Sequence, residues 1–168
     1  MDAFSASLMK DKREIVIAPT IYKFDTFGAF AEEFKLGERD VVLTNEFIYK
    51  PFMEELGLKS KFVFQEKFGA GEPSEAMIET MYEAIPYDSY DRVIAVGGGA
   101  IMDLCKLLGC KRPTSVHDLY FKKFDVIPEK ELIAIPTTCG TGSEVTNISV
   151  AIVREDNGNT TKLGLVSD

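Results

Sequence analysis

Apolar positions recur along the chain with two periods that alternate. Phe27, Phe30, Ala31 and Phe34 fall at helical spacing and predict a helix over residues 26–34. Asp40-Val41-Val42-Leu43 reads as a short strand. Tyr49, Phe52, Met53 and Leu56 restore the helical spacing, with Pro51 placed near the helix start and Gly57 at its end. Residues 61–64 predict a second strand. Gly71-Glu72-Pro73-Ser74 is a turn, and Ser74 is a candidate cap for a helix that carries Met77, Ile78, Met81 and Ile85.

Residues 92–96 form an apolar strand that runs directly into Gly97-Gly98-Gly99. A helix is predicted over residues 100–109, with Ile101, Leu104, Cys105 and Leu108 on one face. Residues 110–130 read as less regular, and Leu132-Ile133-Ala134-Ile135 as another apolar strand. Residues 136–143 form a loop of small residues. Residues 147–153 and 160–166 predict two strands joined by the turn Asp156-Asn157-Gly158-Asn159. Strands and helices in alternation imply βαβ units: an α/β fold with a parallel sheet covered by helices on both faces. Ligands in such folds bind outside the carboxyl ends of the strands, where both glycine-rich loops lie.

Composition narrows the function classes. A chain of 168 residues, 45% apolar and 27% charged, suffices for one packed domain, read here as residues 15–168 behind a loose stretch at 1–14. No apolar run approaches a membrane span, and no secretory leader is legible in the first residues. A net charge of −8 argues against nucleic acid, whose binding needs an excess of Lys and Arg. Three Cys without a CxxC fit a reducing, cytoplasmic compartment. His117 is the single histidine, so no conventional zinc or iron site is legible, and its bland reading is a packing or surface residue.

Two loops carry candidate chemistry. After the strand ending at Val96, three glycines let backbone approach a ligand, and the next helix start offers free N–H groups. A diphosphate is the natural guest. The strict G-x-G-x-x-G fingerprint fails, because Met102 stands at the third glycine, and there is no Gly-Lys-Ser/Thr. Tight helix packing is the competing explanation of the glycines. Asp103 and Lys106 are either an i, i+3 ion pair or a carboxylate turned to the ligand crevice. The second loop, 136–144, offers Thr137, Thr138, Thr141 and Ser143, whose hydroxyls suit ribose and phosphate oxygens. Thr141 and Glu144 also match a capping box. Asn45, at the end of the 40–43 strand, is neutral and would not repel a 2′-phosphate. Cys139 lies in the second loop with no base named beside it, and Cys105 reads as core.

Gly97-Gly98-Gly99-Ala100-x-x-Asp103-x-x-Lys106, followed by Pro136-Thr137-Thr138-x-Gly140-Thr141-Gly142-Ser143-Glu144-Val145-Thr146, resembles the iron-containing (group III) alcohol dehydrogenase family. Tyr22-Lys23-Phe24-Asp25 and Leu43-Thr44-Asn45-Glu46-Phe47 look most like its 4-hydroxybutyrate dehydrogenase branch. The resemblance implies a Rossmann-like amino-terminal domain, akin to that of dehydroquinate synthase, binding NAD or NADP. It implies that the family's all-helical domain, which holds a divalent metal (iron or zinc) through one Asp and three His, has no counterpart in this chain.

Carried over by position, Gly97, Gly98, Gly99 and Asp103 would hold the diphosphate and the region toward the nicotinamide. Thr137, Thr138 and Thr141 would border adenine and ribose, Lys162 would approach a ribose, and Pro73 would lie near the adenosine. Ala100 replaces the usual Ser. Asn45 replaces the usual Asp and leaves NAD and NADP both open. The parent enzyme is expected to act on a small alcohol or aldehyde, such as 4-hydroxybutyrate and succinic semialdehyde, with a homodimer as a further expectation. The 168-residue chain alone is expected to be inactive. The alternative is a stand-alone nucleotide-binding or assembly module; a glycerol dehydrogenase or dehydroquinate synthase relative fits the intact Thr-Gly-Ser loop less well.

Overall fold

The computed structural model describes residues 19–167; the stretch read as a loose terminus lies outside them. Four parallel strands, β1 (Asp40–Thr44), β2 (Lys61–Phe64), β3 (Arg92–Gly97) and β4 (Glu131–Pro136), make a sheet in the order β2-β1-β3-β4. Each of the four arises where the sequence has an apolar or β-branched run. β1 and β3 are central and buried on both faces, which explains why they read as unbroken apolar runs.

Alternate side chains divide the core in two. Val41, Leu43, Val93 and Ala95 face one cluster, together with Met77, Ile78, Met81, Leu104, Leu108 and the inner faces of a separate hairpin. Val42, Ile94 and Val96 face the other, with Phe30, Ile48 and Met53. Helices therefore cover both faces, as the alternation predicts. They are α1 (Phe27–Glu33), α2 (Glu46–Phe52), α3 (Glu75–Ala84), α4 (Gly99–Gly109) and α5 (Val116–Tyr120). Thr26 caps α1 by accepting from Ala29 N, and Ser74 caps α3 by accepting from Met77 N.

Three expectations are corrected. The 49–56 helix is in fact α2 over Glu46–Phe52, followed by a separate 3-10 turn at Glu54–Leu56. Pro51 lies near the end of α2 rather than its start, and lacks the N–H that would continue the ladder. Ile48 and Met53 are buried, whereas Phe52 is 66% exposed. Residues 110–130 are not wholly irregular, since α5 forms there with Ser115 as its cap, accepting from Asp118 N. The Thr141–Glu144 capping box does not form. The 3-10 turn Ser143–Val145 starts from Gly142 in the left-handed region, without a side-chain cap.

Past β4 the chain leaves the parallel sheet. β5 (Ile148–Arg154) and β6 (Thr160–Val166) pair antiparallel, Ile152 opposite Lys162. Ser74 bridges to Ile152, and Ile152 N donates to Pro73 O at 2.8 Å. The hairpin is thereby held over the turn that precedes α3.

Candidate functional site

The chain order fixes where a ligand fits. β1 leads outward to β2, and β3 leads the opposite way to β4, so the winding reverses between β1 and β3. The crevice outside their carboxyl ends is the general binding position of such sheets. Gly97 to Gly99 and the 136–143 loop lie at this end.

The three glycines have different reasons to be there. A Cβ on Gly97 would lie 2.6 Å from Ile101 Cγ1 and 2.9 Å from its Cβ, so Gly97 serves the packing of α4 onto β3. On Gly98 it would come within 3.2 Å of Thr138 Oγ1, and on Gly99 within 3.3 Å of Thr141 Cγ2. Thr137 N donates to Gly97 O at 3.0 Å. The two loops thus close on one another. α4 runs for eleven residues, and no side chain caps its start at Gly98. Its first N–H groups and the positive end of its dipole are open to an anion.

A cavity of about 360 Å³ lies beside that helix start. Its walls include Pro73, Gly99, Asp103, Thr141 and Lys162, five of the ten residues singled out from sequence, and it also borders Glu72, Ser143, Thr146 and Val150. Gly97, Gly98, Thr137 and Thr138 belong to the adjoining loops. Asn45 stands apart, at the end of β1. Its Nδ2 donates to Glu66 Oε1 at 3.0 Å.

Asp103 is both of the things the sequence left open. It lines the cavity and pairs with Lys106 Nζ at 3.2 Å. Its carboxylate also accepts from Ser143 Oγ at 2.5 Å and from Val150 N at 3.1 Å, and its carbonyl accepts from Ser149 Oγ at 2.9 Å. Lys106 Nζ donates further to Ser143 Oγ, Thr146 Oγ1 and the Ile148 carbonyl. Burial pulls the Lys106 ammonium below the usual lysine value, and Asp103 opposes that shift. α4, the hydroxyl-rich loop and β5 are therefore fastened at one polar centre. Across the cavity Lys162 Nζ pairs with Glu72 Oε1 at 2.5 Å, an exposed pair open to rearrangement.

Sequence reasoning missed Glu66, Glu72 and Thr146. Ser143 was seen as a hydroxyl but not as the partner of Asp103. His117 fits its bland reading: Nδ1 lies 3.2 Å from Asp118 Oδ1, and the ring packs on Phe121 at 4.5 Å. Among the described residues no three His, Cys, Asp or Glu side chains gather as a metal site. No described helix is long and apolar enough to cross a membrane. Cys139 is exposed and Cys105 buried. α1 and β4 border a second, largely apolar cleft lined by Phe24, Phe27, Phe30, Phe34 and Ile133, which also reaches Thr137, Lys106 and Ser143.

Residues 19–168 match the family model of iron-containing alcohol dehydrogenase. The chain is 49% identical over 152 residues to 4-hydroxybutyrate dehydrogenase of Clostridium kluyveri, covering 90% of this chain and 40% of that protein. It is 42% identical over 87 residues to long-chain-alcohol dehydrogenase 1 of Geobacillus thermodenitrificans, covering 45% and 21%. The structure of sulfoacetaldehyde reductase from Bifidobacterium kashiwanohense in complex with NAD+ superposes with a TM-score of 0.64 at 21% identity, covering 89% of this chain and 44% of that one. An iron-containing alcohol dehydrogenase from Thermotoga maritima superposes at 0.57 with 28% identity, covering 84% and 40%. The chain spans less than half the length of these relatives. With its motifs, its fold and these matches taken together, the chain belongs to the iron-containing alcohol dehydrogenase family and corresponds to its amino-terminal part.

Proposed function

We propose that this chain binds NAD(H) or NADP(H) in the cavity between the start of α4 and the β5–β6 hairpin. It does so as the nucleotide-binding part of an alcohol dehydrogenase. The observation that carries this reading is the uncapped α4 N-terminus opening beside a cavity that contains Lys162. Free N–H groups of Gly99 and Ala100 suit a diphosphate, and the compact glycine backbone admits it closely. Thr137, Thr138 and Thr141 supply hydroxyls for adenosine and ribose oxygens. Lys162 exchanges Glu72 for the ligand's oxygens. Asp103, bound by Lys106, Ser143 and Val150 N, holds the cavity wall in place while Pro73 positions the adenosine end.

When bound, the nicotinamide gives or accepts the hydride. The substrate proposed for the whole enzyme is 4-hydroxybutyrate or succinic semialdehyde, supported by the identity to the Clostridium kluyveri protein. Among the described residues no group of three or more His, Cys, Asp or Glu side chains could hold a metal ion. We therefore place metal binding and turnover outside this stretch, and read the 168-residue chain as a binding unit.

Titration of the chain with NADH, followed by cofactor fluorescence, tests the reading. Saturable binding with no turnover of succinic semialdehyde in the presence of added iron or zinc is expected. A folded chain that binds no dinucleotide overturns the binding reading. Turnover by the verified 168-residue chain overturns the division of labour.

A further inference from the structure

The neutral Asn45 leaves a specific question at the carboxyl end of β1. Dinucleotide folds carry an acid there, on the strand beside the glycine-loop strand, where it accepts the adenosine ribose hydroxyls. β1 is that neighbour: Leu43 pairs with Ala95, and Asn45 follows directly on the last residue of β1, at the start of α2. Asn45 itself carries no charge.

The charge arrives from one strand further out. Glu66, in the 3-10 turn Gln65–Lys67 at the end of β2, reaches back across β1. Its Oε1 accepts from Asn45 Nδ2 at 3.0 Å and from Glu46 N at 3.2 Å. Two donors fix one oxygen and leave Oε2 without a hydrogen-bond partner among the described residues. Glu66 is exposed at this rim. Lys67, the neighbouring cation, has its Nζ 5.3 Å from the centre of the Phe64 ring.

We propose that Glu66, held by Asn45, makes this site select NAD(H) over NADP(H). The inference rests on the dinucleotide reading above and names the residue that sets its specificity. The free carboxylate oxygen accepts the 2′-hydroxyl of NAD(H). The same charge repels a 2′-phosphate, which brings close to two further negative charges. Asn45 is a positioning residue: it donates to the carboxylate and sets its direction.

The test is titration of the full chain and its variants with NADH and, in parallel, NADPH. The wild-type chain is expected to bind NADH about tenfold more tightly, equivalent to ~1.4 kcal/mol. Glu66→Gln removes the charge and keeps the size. It is expected to strengthen NADPH binding roughly fivefold while NADH weakens, so that the preference nearly vanishes. A gain for NADPH is a readout that loss of folding does not produce. Asn45→Ala is expected to reduce the preference by a smaller factor. Wild-type preference for NADPH, or an unchanged ratio in Glu66→Gln with NADH still bound, overturns this proposal alone. Binding of neither cofactor by the folded wild-type chain overturns it together with the dinucleotide reading.

Discussion

Ser143 donates its hydroxyl to Asp103 Oδ1 at 2.5 Å, joining the hydroxyl-rich loop to α4 across forty positions of sequence. Val150 N and Lys106 Nζ complete the same carboxylate. Removing it takes the counter-charge from a half-buried ammonium and the acceptor from a part-buried N–H group. Asp103→Ala is therefore expected to cost about 3 kcal/mol of stability, read by chemical denaturation. It should also loosen β5 and weaken NADH binding in the molecules that remain folded. A loss below about 1 kcal/mol would show that the cluster is dispensable.

Gly97 and Gly99 differ in what surrounds them, so their variants should differ. Gly97→Ala drives a methyl to within 2.6 Å of Ile101 and forces α4 off β3. Overpacking of this kind costs about 1–3 kcal/mol. Gly99→Ala meets only Thr141 at 3.3 Å, a side chain with room to yield, and its stability should change by about 0.5 kcal/mol or less. Thermal melting of the two variants side by side checks the ranking.

The opposite end of the sheet offers a control. Arg92 binds both oxygens of Asp40, at 2.8 and 2.9 Å, and donates to the Phe34 carbonyl at 3.0 Å. Asp40 Oδ2 also accepts from Gly37 N at 2.7 Å. This pair closes the amino ends of β1 and β3, away from the crevice. Asp40→Ala is expected to cost about 3 kcal/mol by taking away the bidentate carboxylate of a largely buried guanidinium. The NADH affinity of the folded fraction should stay within about twofold of wild type.

Alkaline pH should unfold the chain early. Burial pushes the Cys110 thiol from 9.0 up to about 11 and the Tyr120 phenol from 10.0 up to about 12, and it raises Cys105 as well. Each raised group contributes stability that is complete below its unfolded value and is lost as pH climbs toward its folded value. Lys106 works the other way, because its lowered folded value relieves a penalty as pH approaches 10.5. The raised groups are more numerous. The melting temperature should hold between about pH 7 and 8 and fall between about pH 9 and 11. Cys110→Ala should fall less steeply. A flat profile through pH 11 would contradict the burial of these groups.

Much of the framework was legible because burial writes itself into local pattern. β1 and β3 are apolar runs because both of their faces are covered, while β4 keeps the apolar run at the sheet edge, half-buried. Ser74 announced α3 because a cap is a local bond. α2 was misread, since Pro51 suits a helix start by propensity while packing of Ile48 and Met53 sets the true limits. α5 is short, and its capping Ser115 was overlooked within a stretch without periodicity. At the site, Gly98, Gly99 and the threonines stood out through composition. The Asp103–Ser143 and Asn45–Glu66 contacts did not, because the chain meets itself there across 40 and 21 positions. Glu66 in particular is an ordinary exposed acid until the sheet order places it beside β1.

Amide chemical-shift mapping of the isotopically labelled chain with NAD+ reads the dinucleotide site residue by residue. The largest shifts are expected on Gly98, Gly99, Ala100 and Thr141, with smaller ones at Asn45 and Lys162. Saturable shifts confined instead to the apolar cleft around Phe27, Phe30 and Ile133, or no shifts at all in a folded chain, would contradict it.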